Sequence, residues 1–459
     1  MRTAKGEFGE GSVVKHILRL ALPIMVAELV HITYNIVDRV FIGHIPEYGT
    51  LALSGVGVVF PLISFINAFA SLCSTGGAPI CSIARGEGDT EKAKNILETS
   101  FTLLIILGVL LSVSLYAAMP KLLMWMGSDE STYPYASQYF SIYLIGNVFT
   151  LISLGANSFI NIQGDSVTGM CTVLIGAVLN IILDPIFIFT LGMGVRGAAI
   201  ATVISQFCSC LWVIKYLTSK KTDLRLTSLH IDFNVLKSIL KLGISGFMFK
   251  MTNSITQTVA NITLRVFGGS LGTMYIGATS IINSMREVVS LPNTAIASGF
   301  QPVASYNYGA NNNRRVCKSI RDFCIMVLIY SVAAWACVMV FPRFFISMFT
   351  PDRDLMNLTV PCFRIFFGVF FMMALQTSGQ NTYVALNCPK RAVFFSLFRK
   401  VILVTPLTII LPRAGFGVNG VFIAELISQF VGGLCCFTTM MITVYRRVRK
   451  TPDGIRTII

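Results

Sequence analysis

Long apolar runs follow one another along the 459 residues, separated by short polar or Gly/Pro-rich breaks. Phe101 to Met119, Met170 to Leu191 and Cys324 to Phe341 are examples with few charges. A run of about 18 or more such residues is long enough to cross a bilayer as a helix. Reading the breaks as span ends predicts twelve spans: 17–37, 51–75, 99–119, 136–160, 168–191, 197–217, 236–260, 273–302, 320–341, 358–385, 394–412 and 416–444. The expected fold is all-α, a polytopic membrane protein of about twelve transmembrane helices. The first run contains Glu28, His31 and Asp38 and no small-residue cleavage site, so it reads as a retained helix rather than a signal peptide.

The pattern is written twice. "GVRGAAIATVISQF" at Gly194–Phe207 returns as "GVNGVFIAELISQF" at Gly417–Phe430, 223 residues later, with nine of fourteen positions identical. Pro79 and Gly86 match Pro302 and Gly309 at the same offset, "LRLALPI" at 18–24 matches "LKLGISG" at 240–246, and Pro185 matches Pro406. The chain is therefore expected to form two pseudo-symmetric six-helix lobes, 1–217 and 236–446. A linker at 218–235 joins them, and a basic tail, 447–459, follows. Six is even, so both halves enter the bilayer in the same direction. Such parallel repeats place a substrate site between them near mid-membrane and allow the two to rock in alternating access.

Composition agrees: 54% of residues are hydrophobic, 12% are charged and the mean hydropathy is +0.72, against about 25% charged in soluble domains. The net charge of +15 does not point to nucleic acid once its distribution is examined. With both termini and the even-numbered loops on one side, that side holds 26 of the 36 Lys and Arg, the other side seven, and the spans three. Arg2, Lys5, Lys221, Arg399 and Lys400 are counted among the 26. The bias is that of the positive-inside rule and puts both termini in the cytoplasm, with the chain in the cell membrane. Twelve scattered cysteines without a CxxC read as small buried thiols, and four separated histidines show no metal-site spacing. "GMGVRG" at 192–197 fits a dinucleotide fingerprint but joins two apolar spans and has no acid about twenty residues on. No P-loop and no Ser/His/Asp set is visible, so neither an enzyme nor a bound cofactor is expected.

Ionisable groups at membrane depth are costly and mark functional candidates. Asp38 lies near the end of the first span; Asn180 and Asp184, four residues apart, share a face of the fifth; Thr202 lies in the repeated block on the sixth. Pro185 frees the Ile181 carbonyl. Carboxylate, amide, hydroxyl and carbonyl oxygens suit a small hard cation, or the two acids carry a proton. The alternative is structural: Asp38 caps a helix or pairs with Arg39, and Asn180 and Asp184 satisfy one another.

"LPIMVAELVHITYNIVDRVFIGH" with "LSGVGVVFPL", then "NIILDPIFIF" with "GVRGAAIATVISQ", and "GFQPVASYNYGANNNRRV" resemble, in order, the opening, the fifth and sixth helices and the loop after helix 8 of the multidrug and toxic compound extrusion (MATE) family. The resemblance implies a V-shaped, twelve-helix antiporter that expels organic cations and other drugs in exchange for Na⁺ or H⁺. By position, the family's N-lobe cation site corresponds to Asp38, Asn180, Asp184, Thr202 and, on the fourth span, Tyr139. The second half lacks the acids that some relatives carry on helices 7 and 10. The repeat sets Ala260 opposite Asp38 and Thr405 opposite Asp184, so coupling belongs to the first half. It also sets Lys250 opposite Glu28, a candidate gate pair, and with Arg286 and Arg364 these residues are the candidate gate or cavity set. The expected partners are a small organic substrate and the bilayer, with a monomer as the working unit. The alternative within the superfamily is a flippase for lipids or lipid-linked oligosaccharides, which the basic residues of the second half favour and the Asp38/Asn180/Asp184 set opposes.

Overall fold

A computed structural model describes residues 8–220, 222–350 and 352–457. Arg2, Lys5 and Lys221, counted above with the basic residues, lie outside the described residues. No strand occurs among the described residues. Twelve long helices carry the architecture. They are α1 Val13–Gly43, α2 Gly49–Glu87, α3 Thr90–Trp125, α4 Tyr133–Asn161, α5 Ser166–Thr190, α6 Gly194–Thr218, α7 Phe233–Phe267, α8 Gly272–Gly309, α9 Asn313–Val340, α10 Arg353–Ala385, α11 Pro389–Phe416 and α12 Asn419–Lys450.

Eight of these are apolar and long enough to cross a membrane, and α10, bent by 40° between Phe367 and Phe370, makes a ninth. The other three, α1, α7 and α8, run 31, 35 and 38 residues. At about 1.5 Å per residue they exceed the roughly 30 Å of hydrocarbon, but they carry more polar residues than a lipid-facing span. Twelve helices in the expected order result, each longer than its apolar run because polar caps extend the ends.

Those caps are readable in the sequence. Asp89, Asp165, Asn312 and Asp352 each accept a hydrogen bond from a backbone N–H in the first turn of α3, α5, α9 and α10 respectively, the role short polar side chains play at helix starts. Before Asp89, Gly88 ends α2 in the left-handed region, φ 79°. Asn311, 223 residues on, holds the same position before α9 at φ 55°, since Asn tolerates this conformation better than other non-glycine residues. Gly164 and Asn387, Gly192 and Gly415, and Gly194 and Gly417 repeat the pattern at the same offset. The repeat is thus written in backbone dihedrals as well as in letters.

The chain divides into two compact units, Leu22–Phe247, and Phe8–Ala21 with Met248–Ile459. The opening turns of α1 therefore belong to the second unit and the first part of α7 to the first. Glycines make both arrangements possible. In the first unit a Cβ on Gly76 of α2 would lie 2.2 Å from the Ile239 carbonyl oxygen of α7, and one on Gly243 would lie 2.2 Å from the Leu72 oxygen. In the second unit a Cβ on Gly299 of α8 would lie 2.5 Å from the Ile17 oxygen of α1. Gly299 is the repeat partner of Gly76, and Ile17 that of Ile239. Backbone meets backbone at both crossings, as small residues permit in membrane helices.

The segment between α6 and α7 is held at Glu98. This carboxylate on α3 accepts from Thr227 N and Oγ1 at 3.1 and 2.8 Å and from Ser228 N and Oγ at 2.9 Å each, with His230 Nδ1 at 3.3 Å.

Substituting Gly76→Ala or Gly299→Ala should each cost about 1–3 kcal/mol through overpacking. Gly57→Ala on α2, where a Cβ meets nothing within 4 Å, should be neutral or mildly stabilising. Thermal unfolding of the purified protein in detergent, followed by intrinsic fluorescence, checks both; equal midpoints for all three variants would contradict the crossing contacts.

Candidate functional site

In the first unit, four helices bring one polar group each, or two, to a single place. Asn180 and Asp184 face the same way on α5, and Asn180 Nδ2 donates to Asp184 Oδ1 at 3.1 Å. The same nitrogen lies 3.5 Å from Thr202 Oγ1 on α6. Thr202 in turn donates to its own helix, to Ala198 O at 3.0 Å, which leaves its oxygen free to accept. The α5–α6 approach depends on Gly197, where a Cβ would meet the Phe187 backbone at 2.6 Å. Asp38 on α1 is an electrostatic neighbour of Asp184, and Tyr139 on α4 is one of Thr202. Asp38 is 6% exposed, Asn180 3%, Tyr139 2% and Asp184 fully buried. All five residues named from the sequence for the cation site thus meet.

The local helix geometry follows from Pro185. Lacking an N–H, it breaks the regular ladder, and the helix continues as a wider π turn over Ile186–Thr190. Asp184 sits at the rim of that widening, where π turns recur at functional sites.

Two observations separate the structural explanation of these residues from a binding one. Arg39 lies over the Phe60 ring, 4.1 Å from its centroid, and no ion pair joins it to Asp38 among the described residues. Asn180 and Asp184 do bond one another, but Asp38 Oδ1, Asn180 Oδ1 and Asp184 Oδ2 are buried with no hydrogen-bond partner. An unsatisfied buried acceptor costs about 1–3 kcal/mol, so three together form an unfavourable arrangement unless something electropositive joins them. Two buried carboxyl groups that neighbour one another disfavour each other's ionised form. The donor set is all oxygen, suited to Na⁺ as a transported ion or to a shared proton.

The second unit solves the same place differently. Arg399 and Lys400, counted above as cytoplasmic, lie inside α11, 5% and 1% exposed. Both already fall within the expected span 394–412, so counting them with the loops is the error; in the structure they lie in a π-helical stretch of that helix, Phe398–Val404. Their counter-charge is Glu425 of α12, with Lys400 Nζ at 2.6 Å and Arg399 Nη1 at 3.6 Å. Arg286 of α8 lines the same narrow cavity, with Gln257 and Asn283 beside it, the latter two joined by a 2.7 Å hydrogen bond. Glu425 is the repeat partner of Thr202, and Ala260, the partner of Asp38, also lines this cavity. The second unit therefore has a carboxylate in the corresponding region that is already neutralised by its own side chains.

Arg364 is exposed on α10 and does not line the Arg286 cavity. Glu28 is half-buried on α1 and Lys250 is exposed on α7, in different units. The sequence reading missed the Arg399–Lys400–Glu425 triad. Its signal was present, two adjacent bases in the apolar run "FFSLFRKVILV", but such a pair reads naturally as a loop.

Comparison with known proteins is consistent along the whole chain. The multidrug export protein MepA of Staphylococcus haemolyticus (strain JCSC1435) is 24% identical over 456 residues, 97% of this chain and 96% of its own. MepA of Staphylococcus aureus (strain MSSA476) is 24% identical over 458 residues, 97% of each chain. Among solved structures, an outward-facing multidrug resistance MATE family transporter of the MOP superfamily superposes with a TM-score of 0.90 at 23% identity, covering 98% of this chain and 99% of that one. A MOP superfamily transporter from Pyrococcus furiosus Vc1 (DSM3638) superposes with a TM-score of 0.89 at 23% identity and the same coverage. The MatE family profile matches residues 23–186 and 251–410, one segment in each half, and the chain belongs to that family, the multidrug and toxic compound extrusion transporters.

Proposed function

We propose that this transporter is a secondary active antiporter that exports drugs or other organic, mostly cationic, compounds in exchange for Na⁺ or H⁺. The observation that carries the reading is the buried Asp38/Asp184 pair with Asn180 beside it, each of the three residues holding one unpartnered oxygen. Such a site is stable when it holds a cation or a proton and unstable when empty and ionised, so its charge is linked to whatever conformation exposes it. The names of the relatives, multidrug export proteins, support organic compounds as cargo. Coupling is assigned to the first unit alone, because the corresponding region of the second already carries Lys400 and Arg399 as fixed counter-charges. In this reading the two halves alternate access across the cell membrane in a working monomer with both termini in the cytoplasm, and Na⁺ or H⁺ is a substrate rather than a resident cofactor.

Efflux of a fluorescent organic cation from proteoliposomes, with a Na⁺ gradient and a pH gradient imposed separately, tests the proposal. One gradient should drive flux in the wild type, and Asp38→Asn or Asp184→Asn should reduce it to the level of protein-free vesicles while leaving the thermal midpoint unchanged or raised. Flux that ignores both gradients and survives both substitutions would overturn the coupling assignment.

The triad has the opposite expectation. Glu425→Gln leaves Lys400 and Arg399 buried without a counter-charge and should cost about 3–5 kcal/mol, seen as a lowered thermal midpoint. Lys400→Met, which leaves Glu425 paired with Arg399, should cost less, and Lys400→Met combined with Glu425→Gln should recover part of the loss. Protein carrying Lys400→Met that remains folded should still respond to the same gradient as the wild type; loss of that response would place coupling in the second unit.

A further inference from the structure

We propose that the second unit binds one anionic glycerophospholipid where α9 begins and α12 ends, with the phosphate in a basic recess and an acyl chain in the apolar groove beneath it. On α9, Arg314, Lys318, Arg321, Ile325 and Leu328 recur at intervals of four and three residues and so form one stripe of the helix surface. That stripe is basic as far as Arg321 and apolar from Ile325 onward. On α12, running the other way, Phe437, Met441 and Tyr445 form a stripe that ends in Arg449 and Lys450. Both stripes therefore change from apolar to basic at one level, that of Arg321 and Tyr445. These two residues line both the basic recess and the groove, so the two spaces adjoin there.

The groove has α9 and α12 as walls and Ala374, Leu375 and Ser378 of α10 as its floor. Its lining is almost wholly apolar, and Ile325 and Leu328 are 48% and 40% exposed. From Arg321 to Leu328 the groove extends about 10 Å along the helix axis, enough for the upper part of an acyl chain. Tyr445 marks the boundary with an apolar ring and a polar hydroxyl, the side chain expected at the level of lipid headgroups.

The charge in the recess is not internally balanced. Arg314 approaches Asp453 at 4.0 Å and Arg321 bonds its neighbour Asp322 at 3.0 Å. Lys318, Arg449 and Lys450, which complete the basic lining, have no ion pair among the described residues. A recess with three uncompensated bases, adjoining an apolar groove on a membrane helix, matches the two-part chemistry of an anionic phospholipid. Basic pockets between membrane helices recognise such headgroups. A free anion would use only the recess, and a neutral lipid only the groove.

The test uses the full-length protein, purified in detergent and stripped of lipid, with phosphatidylglycerol, phosphatidylcholine and inorganic phosphate as probes. Native mass spectrometry should show one retained phosphatidylglycerol, and that lipid should raise the thermal midpoint more than phosphatidylcholine does. Replacing Lys318, Arg449 and Lys450 together by Gln should weaken phosphatidylglycerol binding by at least about tenfold, whereas Lys318→Arg with Arg449→Lys and Lys450→Arg should preserve it. Equal binding of the two lipids would overturn the proposal. So would stabilisation by inorganic phosphate equal to that by phosphatidylglycerol, since the recess would then be an anion site without a role for the groove. The wild-type comparison decides the matter even where the Gln variant fails to fold.

Discussion

Hydrocarbon offers neither a hydrogen-bond partner nor a counter-charge, and that constraint shapes this chain at every level. Backbone groups must be satisfied within each segment, which leaves helices as the only economical local structure for runs of this length. Side-chain charges must be paired, face a cavity or be held for an ion that comes and goes. The two buried charge clusters are two answers to that requirement. Lys400, Arg399 and Glu425 form a closed set whose members neutralise one another. Asp38 and Asp184 form a set of like groups that makes no ion pair among the described residues; Asp38 Oδ1 and Asp184 Oδ2, like Glu425 Oε2, also lack a hydrogen-bond partner. A closed set supplies its own counter-charge, whereas an open one suits the exchangeable cation or proton proposed above. Position along the repeat relates the two, and chemistry separates them.

The repeat explains why a comparison between halves is informative. Left-handed residues recur 223 positions apart at several helix ends, and Gly76 and Gly299 make corresponding backbone contacts in their respective units. Where geometry is kept to that degree, differences in side-chain chemistry at matching positions stand out. Thr202 against Glu425 and Asp38 against Ala260 are such differences. The second unit carries its acid on α12 and pairs it with bases from α11.

Much of this was legible before any coordinates. The spans were readable because apolar runs of bilayer length have few alternative explanations, and the helix starts because Asp and Asn announce them. The Asp38/Asn180/Asp184/Thr202 set was readable because isolated polar residues in apolar runs are expensive. What could not be read depends on partners distant in sequence. Glu98 bonds Thr227 and Ser228, 129 and 130 residues away, and no local pattern marks it. Arg399 and Lys400 misled for a different reason, since adjacent bases near a span end usually signal a loop. Glu425, 25 residues on from Lys400, is the counter-charge among the described residues that makes their burial tolerable.

That last point bears on how basic residues in membrane proteins should be interpreted. Those counted toward the orientation of this chain fall into three physically different kinds. Some lie in loops and report topology through the cost of translocating charge. Arg399 and Lys400 are buried and report an internal ion cluster. Arg314, Lys318, Arg321, Arg449 and Lys450 line a recess beside an apolar groove. A charge census treats the three kinds alike. Depth, local pairing and the surface beneath each residue distinguish them, and here those distinctions divide the basic excess into an orientation signal, a structural cluster in the second unit and the lipid site proposed at its edge.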